Sequence, residues 1–211
     1  MVRASGHARP GGRTARTAVA VHDAVRALVR DAGPDPISVA QVAARAGVNA
    51  ATVYRRWGSL EALLLEVAVD DLNERSDLRS SGDLRTDLEA YGTSVVRGLE
   101  APGGMPFLSA IMAAASSPQV GVAPTLALVG RRLELVRAML AVSDPDGSLS
   151  PVDVVDGLVG PLYFRALLVG PPGVTDADVV RLADGLVAVA EHRRRTGLRF
   201  PDVWPGADPG S

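Results

Sequence analysis

Apolar residues recur along most of the chain at helical spacing, every three or four positions. Between Thr14 and Asp31 this spacing places the following side chains on one face: Ala18, Val21, Val25, Leu28 and Val29. Further helices are predicted from Ser38 to Ala46, after Asn49, and near 59–74, 83–100, 106–117, 122–142, 150–169 and 175–195. No stretch alternates with a period of two for the length of a strand. The pattern therefore predicts an all-α fold of about nine helices.

The sharpest local signals lie between residues 37 and 57. Ser38 and Gln41 have the spacing of a capping box, in which each side chain satisfies a backbone N–H of the other. Gly47 follows where a tight turn requires the left-handed conformation, and Asn49 is suited to cap the next helix. Two short helices joined by a glycine turn are the layout of a helix-turn-helix.

A helix-turn-helix contacts bases with the first residues of its second helix, which enters the major groove. In this segment short alanines allow close approach, hydroxyls suit a phosphate or a thymine methyl, and arginines suit guanine or phosphate. The residues predicted to face DNA are Ser38, Gln41, Arg45, Asn49, Ala50, Ala51, Thr52, Tyr54, Arg55 and Arg56. Double-stranded operator DNA is the predicted partner of this surface.

The composition is that of a globular protein and excludes several chemistries. Apolar residues make up 47% of the chain and charged residues 22%, which suits two packed domains. The sequence has no apolar run long enough for a membrane span and no secretory signal, so we expect a cytoplasmic protein without membrane partners. The absence of cysteine excludes disulfides, thiolate nucleophiles and cysteine-based metal sites. No cofactor is predicted.

Charge is distributed unevenly along the chain. Residues 1–60 contain nine Arg and three Asp, a net charge of +6, whereas residues 61–211 contain thirteen Arg and twenty-one acidic residues, a net charge of −8. A basic head on an acidic body directs only one end of a protein toward a polyanion. The alternative is chance clustering of the arginines.

The helix-turn-helix resembles the TetR family of transcriptional regulators. The matching residues are Gly47-Val-Asn-Ala-Ala-Thr-Val-Tyr-Arg-Arg-Trp57, followed by Glu61-Ala-Leu63, and the resemblance covers roughly residues 14–66. It implies a DNA-binding head, a helical body that binds a small effector, and a homodimer that represses transcription. Gly58 stands where the family often has Pro, and Leu60 where it commonly has a Lys that contacts phosphate.

This resemblance and the helix pattern together predict four parts of the chain. These are a disordered arm at 1–12, the helix-turn-helix domain at 13–58, an effector-binding and dimerisation domain at 59–195, and a tail at 196–211. Arginines of the arm and the first helix have two interpretations, contact with the minor groove or plain solvation: Arg9, Arg13 and Arg16.

The last two predicted helices have the character of a dimer interface. The run Gly157-Leu-Val-Gly-Pro-Leu-Tyr-Phe-Arg165 resembles the penultimate helix of one TetR subgroup, and the resemblance implies a four-helix bundle with a second subunit. Apolar residues cover more than one face of each helix, and Pro161 is expected to kink the first. The predicted interface residues are Val152, Val155, Val159, Leu162, Val179, Leu182, Leu186 and Val189.

Adaptable methionine and aromatic side chains in the middle of the chain favour a pocket for a small, largely apolar effector. The predicted pocket residues are Tyr91, Met105, Phe107, Leu108, Met112 and Met139. The alternative is that each is an ordinary core residue.

Two other classes of protein fit the sequence less well. The sequence does not support an enzyme. Its three histidines, His7, His22 and His192, are not spaced as in a nucleophile motif, a pair of catalytic acids or a metal site. A helical protein-interaction module would not need the basic head. The predicted function is therefore sequence-specific DNA binding in transcription regulation.

Overall fold

The computed structural model describes residues 11–31, 37–75, 78, 80–101, 103–115 and 122–198, and every regular element in this part is helical. The first seven helices are α1 Gly11–Asp31, α2 Val39–Ala46, α3 Ala50–Trp57, α4 Leu60–Arg75, α5 Leu84–Glu100, α6 Gly104–Ala115 and α7 Val122–Ser143. Helix α8 comprises Pro151–Val154, a π turn at Val155–Val159 and Gly160–Val169, and α9 is Asp176–Thr196. The predicted all-α fold is confirmed. Helix α1 begins inside the predicted arm, and residues 1–10 and 199–211 lie outside the described part.

Caps place the ends of the two short helices where the sequence predicts them. The backbone N–H of Ser38 donates to Gln41 Oε1 at 2.8 Å, and the N–H of Gln41 donates to Ser38 Oγ at 3.3 Å. Asn49 Oδ1 accepts from the N–H of Ala51 at 2.8 Å. Gly47, at φ 66°, adopts the left-handed conformation that closes α2. These local bonds fix the angle at which α3 leaves α2.

The helices enclose two hydrophobic cores. The first, which we call the head core, joins α1 to α4: Val21, Ala24, Val25, Val29, Val39, Val42, Ala43, Val53, Trp57, Leu63, Val67 and Ala68. The second, the body core, joins α5 and α6 to the last three helices and includes Leu88, Tyr91, Leu108, Val136, Met139, Leu158, Leu162, Val179, Ala183 and Leu186. Burial of apolar side chains in these two cores is what stabilises the head and the body.

Helix α6 contributes to both cores. Phe107 is buried in the head core and its neighbour Leu108 in the body core. The corner before them is tight, because a Cβ on Gly103 would lie 3.1 Å from Val29 Cγ1 and a Cβ on Gly104 would lie 2.2 Å from the carbonyl oxygen of Gly98. Close backbone approach at this corner therefore holds α6 against α1 and α5 together.

Polar contacts also connect the first helix of the head to α4. The His22 ring lies 2.9 Å from Glu66 Oε1, and Arg26 Nε donates to Asp71 Oδ1 at 2.6 Å. The hydrogen bond with His22 is the main cause that holds the pKa of Glu66 below its ordinary value. A displacement of α4 would have to carry α1 with it or break these bonds.

The expected irregularity at Pro161 takes the form of the π turn that precedes it. Proline has no N–H and its ring excludes the carbonyl four residues earlier, so a regular α-helix cannot continue through it. The N–H of Gly160 instead donates to the carbonyl of Val155, five residues back. Just before the proline, a Cβ on Gly157 would lie 2.6 Å from Leu186 Cδ2, so α8 and α9 approach closely within one chain.

A buried ion pair connects the end of α9 to the start of α8. Arg193 donates from Nη1 to Asp153 Oδ2 at 2.7 Å and from Nη2 to Asp153 Oδ1 at 2.9 Å. Asp153 also accepts from the N–H of Ser150 at 2.7 Å, which completes the predicted cap of α8. Burial raises the pKa of Asp153, but the bonds from Arg193 and Ser150 outweigh it, so the pKa lies below its ordinary value.

We predict that Arg193→Met lowers the free energy of unfolding by about 1.5–3 kcal/mol at pH 7, the range for lost hydrogen bonds to a charged group. The lowered pKa of Asp153 means that its contribution is present above the pKa of the unfolded chain and is lost as the pH falls through the folded value. Urea unfolding followed by circular dichroism at pH 7 and pH 3 measures both. Arg195→Met removes an exposed arginine from the same helix end and is the control. Equal stability of the two variants at pH 7 would contradict the prediction.

Candidate DNA-binding and effector sites

Helix α3 turns one face to the head core and the other to solvent. Val53 and Trp57 are buried, whereas Ala51 and Arg55 are exposed and Tyr54 is 54% exposed. The exposed face follows from helical spacing, since Ala51, Tyr54 and Arg55 lie three and four positions apart. Its short N-terminal residue and larger polar residues have the arrangement that a major groove accepts.

The predicted DNA-facing residues differ in how free their side chains are. Ser38 and Gln41 hold each other through the capping box, and Arg45 Nη1 lies 3.1 Å from Asp31 Oδ2. Ala50 is half-buried and packs against the head core, where the sequence predicted an outward position. The reason is that α3 packs on α2 and α4, so the side chain at its first position faces the head core. The polar surface open to a ligand is therefore concentrated on the later residues of α3.

Thr52, Arg55 and Arg56 line a cleft of about 510 Å³ together with two threonines of α1, Thr14 and Thr17. Arg56 Nη1 donates to the carbonyl of Thr14 at 3.1 Å, and its guanidinium lies 5.0 Å from the centre of the Trp57 ring. Arg56 therefore holds the first turn of α1 beside α3, while hydroxyls and guanidinium groups line the opening. Such a set suits a phosphate group.

Sequence reasoning did not single out Thr14 and Thr17. They lie three positions apart among the arginines of α1, so they share one helix face. That spacing is a usable signal only when the position of α1 beside α3 is known, because nothing in the sequence relates the two helices directly.

Gly58 and Leu60, the two departures from the TetR pattern, have structural consequences. Gly58 has φ 77°, whereas proline is fixed near −65°, so α3 and α4 meet through a turn that a proline does not allow. Leu60 is half-buried against the head core, and Ser59 Oγ accepts from the N–H of Ala62 at 3.1 Å to cap α4. The start of α4 thus presents an apolar contact to the head and no cation at position 60.

The six predicted pocket residues do not form one group. Leu108 and Met139 are buried in the body core with Tyr91, and Met105 packs against it. Phe107 lies in the head core, because α6 turns its adjacent residues to different cores, and Met112 is 50% exposed. Phe107 and Met112 are therefore separated from the other four, and the prediction of a single pocket lined by all six is corrected.

A polar cluster lies beside the four that remain together. Arg132 of α7 donates from Nε to Tyr91 Oη at 3.1 Å, and its Cζ lies 4.6 Å from the centre of the Tyr91 ring. Tyr163 of α8 packs against the same core, and burial raises its pKa well above the ordinary value. The sequence contains one signal for this cluster. Arg132 precedes the buried residues Val136 and Met139 by four and seven positions, so it lies on the same face of α7.

Half of the predicted interface residues are buried within the chain. Val159, Leu162, Val179 and Leu186 belong to the body core, because α8 and α9 pack on α5 with these side chains between them. Val152, Val155 and Leu182 are half-buried, and Val189 is exposed. The apolar residues that α8 and α9 leave exposed are Phe164, Leu167, Leu168, Val169, Val180 and Val189, which we call the exposed apolar face.

The described part of the chain lacks two features of other protein classes. No helix within it is both long and apolar enough to cross a membrane. No group of three His, Cys, Asp or Glu side chains among these residues is arranged to hold a metal ion. His192 is exposed on α9, and His22 makes the contacts with α4 described above.

Comparisons with known proteins agree with the helical architecture. The family described as bacterial regulatory proteins, tetR family, matches residues 22–67, and the tetracyclin repressor-like C-terminal domain matches residues 78–186. A crystal structure of a TetR transcriptional regulator from Rhodococcus sp. RHA1 superposes with a TM-score of 0.61 at 17% identity, covering 83% of this chain and 97% of that one. A TetR-family regulator from Streptomyces coelicolor gives a TM-score of 0.54 at 19% identity, with coverage of 83% and 98%. These structures show the fold.

Relatives in sequence are also transcription regulators. The chain is 32% identical over 110 residues to the HTH-type transcriptional regulator AqdR of Rhodococcus erythropolis, which covers 52% of this chain and about half, 53%, of AqdR. It is 28% identical over 165 residues to an HTH-type regulator of Mycobacterium tuberculosis, covering 76% and 80%. It is 39% identical over 77 residues to the DNA-binding transcriptional repressor TetR of Mycobacteroides abscessus, covering 36% and 40%. The chain belongs to the TetR family of DNA-binding transcriptional regulators.

Proposed function

We propose that this chain is a homodimeric repressor that binds a two-fold symmetric operator through α3 and leaves it when a small effector enters the body. The observation that carries the proposal is the outer face of α3, where Tyr54 and Arg55 are exposed and the half-buried Thr52 lines the cleft between α3 and α1. One relative of the head is itself a DNA-binding transcriptional repressor, which supports repression. Binding to chromosomal DNA would place the protein in the cytoplasm.

On DNA, the exposed residues of α3 and the threonines of the neighbouring cleft have two different roles. Ala51 at the start of the helix lets the backbone approach base edges, and Arg55 reaches guanine or phosphate. Tyr54 and the cleft residues Thr14 and Thr17 donate hydroxyl hydrogen bonds to phosphates, which position the head without specifying sequence. The net charge of +6 over residues 1–60 supplies a salt-dependent attraction to the duplex.

TetR-family regulators dimerise, and we propose that this one dimerises through the exposed apolar face. Phe164 and Leu168 are 64% and 67% exposed, and they lie one helical turn apart on α8. On α9, Gly185 is exposed and a Cβ there would have no neighbour within 4 Å among the described residues, so a second helix can approach closely. An apolar patch on adjacent helices is the usual mark of a partner surface.

Release from DNA requires that effector binding in the body alter the spacing of the heads. Helix α6 enters both cores through Phe107 and Leu108, and α4 carries the ion pair of Asp71 with Arg26 in the head. An effector that favours one position of α6 and α4 thereby favours one position of α1 and α3. A differential affinity of about 1–3 kcal/mol between the two states changes DNA affinity roughly five- to 150-fold.

The proposal is tested by selecting bound fragments from genomic DNA, footprinting the selected site and titrating operator complexes with salt. We expect a protected site with two related half-sites, since two copies of α3 contact it. The logarithm of the association constant should fall linearly with the logarithm of the salt concentration. A single asymmetric site with little salt dependence would contradict the proposal. Effector control is tested on the same operator, by screening small molecules for release.

For the recognition surface, we predict that Thr52→Ala and Tyr54→Phe each weaken operator binding by about 1 kcal/mol, because each loses one polar contact. Arg55→Gln should also reduce the salt slope by about 1, as expected for a lost phosphate contact. Fluorescence anisotropy at several salt concentrations measures both quantities. Arg97→Gln removes an exposed arginine from α5 in the body and is the matched control. A salt slope equally reduced in both arginine variants would place the contact elsewhere.

For the dimer, we predict that Leu168→Arg yields a folded monomer, because it introduces charge into the exposed apolar face without touching the body core. Val159→Arg should instead destabilise the subunit by roughly 3 kcal/mol or more, since it places an unpaired charge in the body core. Light scattering gives the oligomeric state, and urea unfolding gives the stability. A stable dimer with Leu168→Arg, or a stable monomer with Val159→Arg, would contradict the prediction. Either result would indicate that the interface involves the residues assigned here to the body core.

A further inference from the structure

Arg132 is a cation on the inner face of a helix. Val136 and Met139 follow it by four and seven residues on α7, and both are buried in the body core. Side chains at these intervals share one face of an α-helix. Arg132 therefore extends toward the interior of the body, although a charged side chain there loses hydration that only hydrogen bonds and an opposite charge restore.

The bonds that Arg132 makes within the described part of the chain leave it short of partners. Its Nε donates to Tyr91 Oη at 3.1 Å, and its guanidinium stacks on the same ring with Cζ 4.6 Å from the ring centre. Its Nη1 is buried and has no hydrogen-bond partner among the described residues. Neither contact with Tyr91 supplies a negative charge. A buried donor of this kind costs about 1–3 kcal/mol or more until an acceptor reaches it.

The groups around Arg132 are hydrogen-bond donors. Tyr91 accepts from Arg132, so its own hydroxyl proton is free to be donated. Tyr163 packs against the same core, and burial raises its pKa, so it stays a neutral hydroxyl that can donate. A guanidinium with two phenolic hydroxyls matches a ligand group that is rich in acceptors and carries negative charge.

We propose that the effector is an apolar acid whose carboxylate binds Arg132 Nη1 between Tyr91 and Tyr163. A single cation matches the single charge of a carboxylate better than the double charge of a phosphate. The apolar remainder of the molecule lies against the body core, where Met105 and Met139 are adaptable neighbours. This inference rests on the proposed effector control and replaces a purely apolar effector with an amphipathic one. Arg132 is the residue that selects the acid.

The first test needs no ligand. Arg132→Met keeps an unbranched apolar stem and removes the charged guanidinium, so the ligand-free variant should unfold at an equal or higher urea concentration than the wild type. Arg137→Met, on the exposed side of the same helix, is the control for loss of one arginine. If Arg132→Met is clearly less stable than Arg137→Met, the guanidinium has an acceptor in the chain beyond its contacts with Tyr91 and the proposal is overturned.

The second test measures binding with defined probes: straight-chain and aryl-substituted carboxylic acids, each paired with its primary amide. Isothermal titration should show that the wild type prefers the acids, and that Arg132→Met weakens acid binding by about 10- to 100-fold, as for a lost hydrogen bond to a charged group. Amide affinity should change little, and Arg137→Met should bind like the wild type. Equal affinity for acids and amides, or no binding of any acid, would overturn the proposal.

Titration of the operator complex separates this inference from the proposed function. Acids that bind through Arg132 but leave operator affinity unchanged would support the carboxylate site and contradict effector control. Neutral molecules that release the operator equally from the wild type and Arg132→Met would support effector control and overturn the carboxylate site. Acids that release the wild type, and release Arg132→Met only at about 10- to 100-fold higher concentration, would support both.

Discussion

The insertion of α6 between two hydrophobic cores is the constraint on which the arrangement of head and body depends. Phe107 and Leu108 are neighbours in the chain, yet one is buried with α1–α4 and the other with α5–α9. A shift of α6 that preserves the packing of one residue disturbs the packing of the other, because packed interiors tolerate little change in volume. A rearrangement of the body that moves α6 therefore also alters the packing of the head.

Local chemistry made much of the fold predictable from sequence. The capping pairs at Ser38, Asn49 and Ser150 form the bonds that their spacing implies, because a cap involves residues only a few positions apart. The exposed face of α3 was predictable for the same reason, since α3 is short and its two buried residues, Val53 and Trp57, leave only one face to solvent.

What could not be predicted depends on distant parts of the chain. Helices α8 and α9 are apolar on more than one face, and periodicity cannot tell which face meets the chain's own core and which meets a partner. Val159 and Leu186 were therefore assigned to an interface although they pack inside the subunit. Phe107 was assigned to a pocket because its sequence neighbours lie in the body, whereas it is buried in the head core, whose other members are at least 39 positions away in the sequence. The partner of Arg132 was equally hidden, because Tyr91 is forty-one positions away.

The turn at Gly58 has a consequence for how this regulator can evolve. The residue holds φ at 77° in the link between α3 and α4, a conformation that costs a side-chain-bearing residue about 1–3 kcal/mol. The exposed residues of α3 carry no such restriction, so substitutions there change the surface of the helix without straining the backbone. The angle between α3 and α4 is tied to one glycine. A lineage of such proteins can therefore vary the chemistry of the α3 surface by single substitutions, whereas any replacement of Gly58 disturbs the direction in which α3 leaves the body.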